Sequence, residues 1–199
     1  MANPTHIVLQ DVRLSYAHLV EPWAWTPGTE AKYSTSILIN KNDERNITLI
    51  QNAVKAALDA GLQRKFNGRK PANPKLPLRD GDVERPDDPS YQGHYFLNAN
   101  SKQAPKLVDQ QLNPILDREE IYSGCYVNIS LDFYAFSVNG NQGVAVSLRN
   151  VQKLRDGDSF GVQGASVEDD FTVITPTTPQ APQSTTFTTT GADNWGDLF

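Results

Sequence analysis

The sequence predicts a mainly β protein, a small β-barrel with one main helix. Three observations carry that expectation. Runs of alternating apolar and polar residues recur over the first 155 positions. An Asn-Gly pair joins the two longest of them. Only one segment spaces its apolar residues as a helix does. A chain of 199 residues suits one such domain plus a surplus.

Taken in order, Ile7 to Tyr16 reads as a strand with Val8, Val12, Leu14 and Tyr16 on one face and Asp11, Arg13 and Ser15 on the other. Ala31 to Asn40 is a second, with Tyr33, Thr35, Ile37 and Ile39 opposite Lys32, Ser34, Ser36 and Leu38. Between them Glu21 to Gly28 holds two prolines, a glycine and the tryptophans Trp23 and Trp25, a loop. The helix is signalled by Asn42 or Asp43 as N-cap, by Ile47, Ile50, Val54, Ala57 and Leu58, and by Gly61 as the residue past its end. Leu62 to Ser90 contains five prolines without usable periodicity and reads as a long inserted loop on the surface. Short strands follow near Gly93 to Ser101 and Pro105 to Asp109.

The strongest pattern is Tyr126 to Val138, joined through Asn139 to Gly143 to a run from Val144 to Leu154. Val127, Ile129, Leu131 and Phe133 share the apolar parity of its first strand; Tyr126, Tyr134 and Phe136 fall on the polar parity. One helix among several short strands makes the OB-fold the expected form of the barrel. The sequence Leu-Arg-Asp-Gly-Asp occurs at 78 to 82 and at 154 to 158. It reads as a turn, with cation binding the alternative.

Charge is divided along the chain. Residues 1 to 155 carry 18 basic and 16 acidic side chains, whereas residues 156 to 199 carry seven acids and no base. The net charge of -5 therefore belongs to the tail and not to the body. Thr172 to Thr190 holds nine threonines and three prolines, a composition that cannot build a core. The expected organisation is a body of residues 1–171 and a disordered acidic tail of residues 172–199.

These pieces point to single-stranded nucleic acid, which is held by cations on its phosphates and aromatic faces on its bases. Trp23 and Trp25 either contact the ligand or anchor their loop, and Tyr126, Tyr134 and Phe136 either stack on it or pack beneath other segments. Leu62 to Arg79 places Arg64, Lys65, Arg69, Lys70 and Lys75 around Phe66 without one acid. Alternatively these charges serve Asp80, Asp82, Glu84, Asp87 and Asp88 just downstream, and the groove lies around Lys32, Lys102, Lys106 and Arg149. Arg149 either meets the strand or pairs with Asp132 across the hairpin.

Enzymatic readings find little support. No P-loop, GxSxG or HExxH occurs, and the single cysteine, Cys125, with His6, His18 and His94, offers no metal-ligand spacing. Asp87-Asp88 lies between prolines in a loop, where metal geometry would be accidental, and the same holds against Asp169-Asp170, so a metal-dependent nuclease is the weakest of the alternatives. No cofactor and no metal is expected, and no apolar run approaches the length of a membrane span.

A resemblance sharpens the reading. Ser123 to Asn128, LDFYAF at 131 to 136, Asn139-Gly140, Gly143-Val144, LRNVQKLRDG at 148 to 157 and Glu168 to Phe171 are similar to the C-terminal part of a phage-encoded family. Tyr95 to Ala99 and Pro105-Lys106 resemble its earlier part, so that the similarity spans roughly residues 5 to 171. The family was long described only as a domain of unknown function and includes OB-fold single-stranded-DNA-binding proteins. The resemblance implies single-stranded-DNA binding in phage replication or recombination, in the cytoplasm of an infected bacterial host, with self-association on DNA compatible with it. A structural or protein-interaction module of the phage particle is the alternative.

The tail resembles in design the acidic tips of single-stranded-DNA-binding proteins that recruit replication enzymes. Asp193, Trp195, Asp197, Leu198 and Phe199 supply the acids and apolar residues, without the consecutive aspartates and penultimate proline common in bacteria. A phage-encoded replication or recombination protein is the partner this implies.

Overall fold

A computed structural model describes residues 3–24 and 26–160. Its first strand, β1 (His6–Trp23), is much longer than its clean alternation, because three irregularities interrupt it, two of them at residues of positive φ and a third between His18 and Trp23. Asp11 adopts φ 52°, and the pairing with β6 (Tyr126–Val138) shifts between Leu9 and Val12. Tyr16 adopts φ 47°, where the pairing with β2 (Lys32–Asn40) shifts between Ser15 and His18. Each bulge inserts one residue and moves the inward set from one parity to the other. Ile7 and Leu9 are thus buried, then Val12 and Leu14, then Leu19. Val8, expected with Val12 and Leu14, is instead on the outer face and 44% exposed.

The first bulge also seats the helix. Asp43 caps α1 (Glu44–Arg64) by accepting from the Asn46 amide. The Asn46 side chain donates to the Gln10 carbonyl at 2.7 Å and accepts from the Gln10 amide at 3.2 Å. Ile50, Ala53, Ala57 and Gly61 then face the barrel. Gly61 lies inside the helix and does not end it. A Cβ there would stand 2.3 Å from the Ala135 Cβ of β6, so the glycine serves close helix–sheet approach.

The chain continues through β3 (Arg79–Asp80), a single-turn α2 (Gly81–Glu84), a 3₁₀ turn at Pro89–Tyr91, β4 (His94–Ser101), β5 (Lys106–Val108) and a 3₁₀ turn at Arg118–Glu120. β6 and β7 (Asn141–Arg155) close a hairpin on Asn139 and Gly140, both at positive φ (49° and 76°). That is the two-residue turn an Asn-Gly pair favours. The sheet order is β3-β4-β2-β1-β6-β7-β5, and a parallel pairing of Asn100 with Ser147 joins β4 to β7. Strands β1, β2, β4, β7 and β6 therefore form a closed five-stranded barrel, the OB arrangement. Leu9, Leu14, Ile37, Leu97, Val127, Ile129 and Leu131 fill it.

The segment expected as a featureless excursion is tied down. Lys41 Nζ lies 2.6 Å from Asp80 and 2.7 Å from Asp82, while Asp82 accepts from the Gly93 amide at 2.8 Å. The first Leu-Arg-Asp-Gly-Asp is thus a strand end and helix cap whose carboxylates answer a lysine. Tyr91 packs edge-on against Phe96, centroids 5.0 Å apart, in a small cluster with Leu38. The excursion therefore roofs the apolar half of the outer β2–β4 face. The polar half, with Lys32, Asn98 and Asn100 around the more buried Ser34 and Ser36, is left unroofed.

Candidate nucleic-acid interface

Three adjoining clefts run over that open half. The first, of about 410 Å³, is lined by Tyr16, Trp23, Lys32, Ser34, Ser36, Arg85, Asn98 and Asn100. A second shares Lys32 and Asn100 with it and adds Lys102, Asp132, Tyr134 and Arg149. A third shares Asn98 and Asn100 and adds Lys75, Arg79 and Phe136. The shared residues make one continuous surface from the β1–β2 loop to the β6–β7 hairpin. In an OB-fold the strand 2–3 face and the loops at strands 1–2 and 4–5 are where oligonucleotides bind. Here those are β2–β4, the Trp23 loop and the hairpin.

Each side chain reaches this surface for a local reason. Trp23 ends β1 opposite Lys32 and is 54% exposed. Its ring stacks on His18 with centroids 5.4 Å apart and planes 12° apart, leaving the outer ring face to solvent. Burial lowers the His18 pKa, so the ring beneath Trp23 is uncharged at neutral pH. Lys32 precedes Ser34 and Ser36 on the outward parity of β2. Tyr134 stands outward on β6, 47% exposed. Phe136, two residues on, is half-buried beside Lys75, whose backbone bridges to Gly143.

The groove also carries negative charge. Asp132 lies 2.6 Å from His6 Nδ1 and is bonded to Arg149 Nε. Burial pushes its carboxyl upward, but the bonds from His6 and Arg149 outweigh it and hold the group below the usual carboxylate range. Glu30, paired with Lys102 at 2.7 Å, is held down mainly by that bond. Arg149 thus has the cross-strand partner weighed for it, and it also lines the second cleft.

Of the sequence-predicted residues, the structure brings together Trp23, Lys32, Lys75, Tyr134, Phe136 and Arg149. Trp25 lies outside the described residues, as does the whole tail with Asp193, Trp195, Asp197, Leu198 and Phe199. Arg64, Lys65 and Arg69 are exposed around the end of α1 and line none of these clefts; Lys70 there pairs with Asp59 at 2.6 Å. Lys106, on β5, lines none of them either.

One expectation is corrected, and for Tyr126 the packing alternative is the one observed. Phe66 is 3% exposed and folds back against Gly61, so its ring is packing and not a stacking face. Tyr126 is covered by Arg155 at 3.9 Å and Arg13 at 5.3 Å from its ring centroid, and Gly157 packs on its edge. Two guanidinium groups already pack against this half-buried ring.

Sequence reasoning missed Tyr16, Ser34, Ser36, Arg85, Asn98 and Asn100 as cleft residues. The outward parity of β2 was visible, but Asn98 and Asn100 join it only through the register Ser36↔Asn98 and Ser34↔Asn100. Arg85 arrives from the roofing excursion, where it lies 5.3 Å from the Tyr16 ring centroid.

Comparison with known proteins decides the family. Residues 5–181 match the model of the Enterobacter phage Enc34 ssDNA-binding protein family. The chain belongs to that family. "Putative protein p50" of Acyrthosiphon pisum secondary endosymbiont phage 1 is 35% identical over 170 residues, covering 82% of this chain and 91% of that one. The solved single-stranded-DNA-binding protein from bacteriophage Enc34 in complex with ssDNA superposes with a TM-score of 0.70 at 27% identity, over 79% of this chain and 90% of that one. Gp2.5, a single-stranded DNA binding protein encoded by bacteriophage T7, shares the fold at a TM-score of 0.56 and 14% identity, over 82% and 91% of the two chains.

Proposed function

We propose that this chain binds single-stranded DNA along the barrel face from Trp23 to Lys75, as a non-enzymatic coat on phage DNA during replication and recombination. The observation that carries the reading is the continuity of the three clefts through Lys32, Asn98 and Asn100. They join the exposed aromatics Trp23 and Tyr134 and the half-buried Phe136 to cations (Lys32, Lys75, Arg79, Lys102, Arg149) in one groove. That is the combination which holds a strand without strict sequence preference. Family membership and the relative solved with ssDNA support it.

The protein would act in the cytoplasm of the infected bacterium, and no helix among the described residues is long and apolar enough to cross a membrane. Residues 172–199, acidic and rich in threonine, serve in this reading to recruit a phage-encoded partner through Asp193, Trp195, Asp197, Leu198 and Phe199. Titration with oligo(dT) at two salt concentrations tests the binding: tryptophan fluorescence should fall, and affinity should drop steeply with salt. Unchanged fluorescence with no retained oligonucleotide would refute it.

A further inference from the structure

On the reading that single-stranded DNA lies in this groove, one stretch of it is equipped for more than stacking. Strand register sets two rows of small polar side chains across the barrel: Ser15, Ser36 and Asn98, then His18, Ser34, Asn100 and Ser147. The hydroxyl oxygens of Ser34 and Ser36 are buried and have no hydrogen-bond partner among the described residues, and Ser36 as a whole is only 4% exposed. A buried hydroxyl left unpaired costs the folded chain stability. Alanine at either position would pack the strands without that cost.

Both serines line the first cleft together with Trp23 and Lys32. Asn98 and Asn100 stand next to them, exposed, with no side-chain hydrogen bond among the described residues. We infer that this cleft takes the edge of one base of the bound strand. Ser34 and Ser36 hydrogen-bond to it, Asn98 and Asn100 supply the adjoining donors and acceptors, Trp23 covers its face, and Lys32 meets the neighbouring phosphate.

The chemistry fits a nucleobase better than a phosphate or sugar alone. Each serine hydroxyl turns about a single Cα–Cβ bond, so a base carbonyl entering the cleft captures a donor that nothing in the free chain captures. Hydroxyls and carboxamides both donate and accept. The cleft therefore demands a hydrogen-bonding edge without fixing which base supplies it, and a strand is accepted in any sequence while a base with a non-polar edge is rejected.

The experiment is a double-mutant cycle on the full chain. Oligo(dT) is compared with an oligonucleotide of equal length in which 2,4-difluorotoluene replaces every thymine, keeping shape and stacking but losing the polar edge. Both are titrated with the parent and with the Ser34→Ala/Ser36→Ala variant. The variant should lose about fivefold on oligo(dT), the worth of a modest hydrogen bond, and almost nothing on the analogue, so that the two losses do not add. Its melting temperature should be no lower than the parent's. Equal losses on both oligonucleotides, or none on oligo(dT), would overturn the inference while leaving DNA binding standing. A parent that binds neither oligonucleotide would overturn the binding function itself, and this cleft's role with it.

Discussion

Asp132 is a carboxylate set in the groove proposed for DNA, and replacing it with asparagine should tighten DNA binding. In the free protein it holds Arg149 and His6, so Arg149 spends its charge within the chain. Asp132→Asn keeps the size and one acceptor, removes the negative charge, and releases a guanidinium that is 52% exposed. Two unit charges about 4 Å apart interact by about 1 kcal/mol in water and about 4 kcal/mol near a protein surface. At twice that separation, the distance of a phosphate seated on Arg149, the relief is roughly 0.5–2 kcal/mol, or about two- to thirtyfold in affinity. Arg149 freed for one more phosphate should also steepen the fall of log K against log salt by about 0.7. The fold should tolerate the change, since exposed ion pairs contribute about 0–1 kcal/mol. Fluorescence titration at several salt concentrations measures both quantities. Weaker binding with an unchanged slope would show that the strand does not pass Asp132.

Trp23→Ala should weaken oligo(dT) binding by about 1–3 kcal/mol, the worth of one stacked base; isothermal titration would show it, and unchanged affinity would remove Trp23 from the interface. Lys32→Gln with Lys75→Gln should reduce the salt slope by about 1.4, while neutralising Arg64, Lys65, Arg69 and Lys70 should leave it unchanged. Gly61→Ala would drive a Cβ to 2.3 Å from that of Ala135; overpacking of that kind costs about 1–3 kcal/mol, and calorimetry should show a melting temperature lower by several degrees. Lys41 and the Gly93 amide hold the Asp82 carboxyl below its ordinary range. Its contribution is therefore present above the unfolded carboxylate pKa and lost as pH falls through the lowered folded value, so acid should speed hydrogen exchange in residues 80 to 93 before the barrel strands.

Local pattern made the hairpin legible: Asn139-Gly140 lies between alternating runs and β6 spans Tyr126–Val138 as expected, but β7 begins at Asn141, before the expected Val144, and two irregularities shift the register beyond Leu131. α1 was equally plain from Asp43 and its apolar spacing. The length of β1 was not, because Asp11 and Tyr16 adopt positive φ without being glycine, and each bulge breaks the alternation from which a strand is recognised. The excursion was opaque because its order comes from long-range partners, Lys41 with Asp80 and Asp82, and Tyr91 with Phe96 and Leu38. At the site, Trp23, Lys32 and Tyr134 could be picked out by exposure-favouring positions. Phe66 misled and Tyr126 was ambiguous, since the partners packed on them, Gly61 for one and Arg13 with Arg155 for the other, are set by packing that no local pattern displays.

The path of the strand over the barrel can be read by photocrosslinking. An oligonucleotide carrying 5-iododeoxyuridine at successive positions would be irradiated with the full chain and the attached residues identified by mass spectrometry. The account predicts crosslinks at Trp23, Tyr134 and Phe136. Crosslinks confined to the α1 end near Arg64 to Lys70, or to Tyr126, would contradict it.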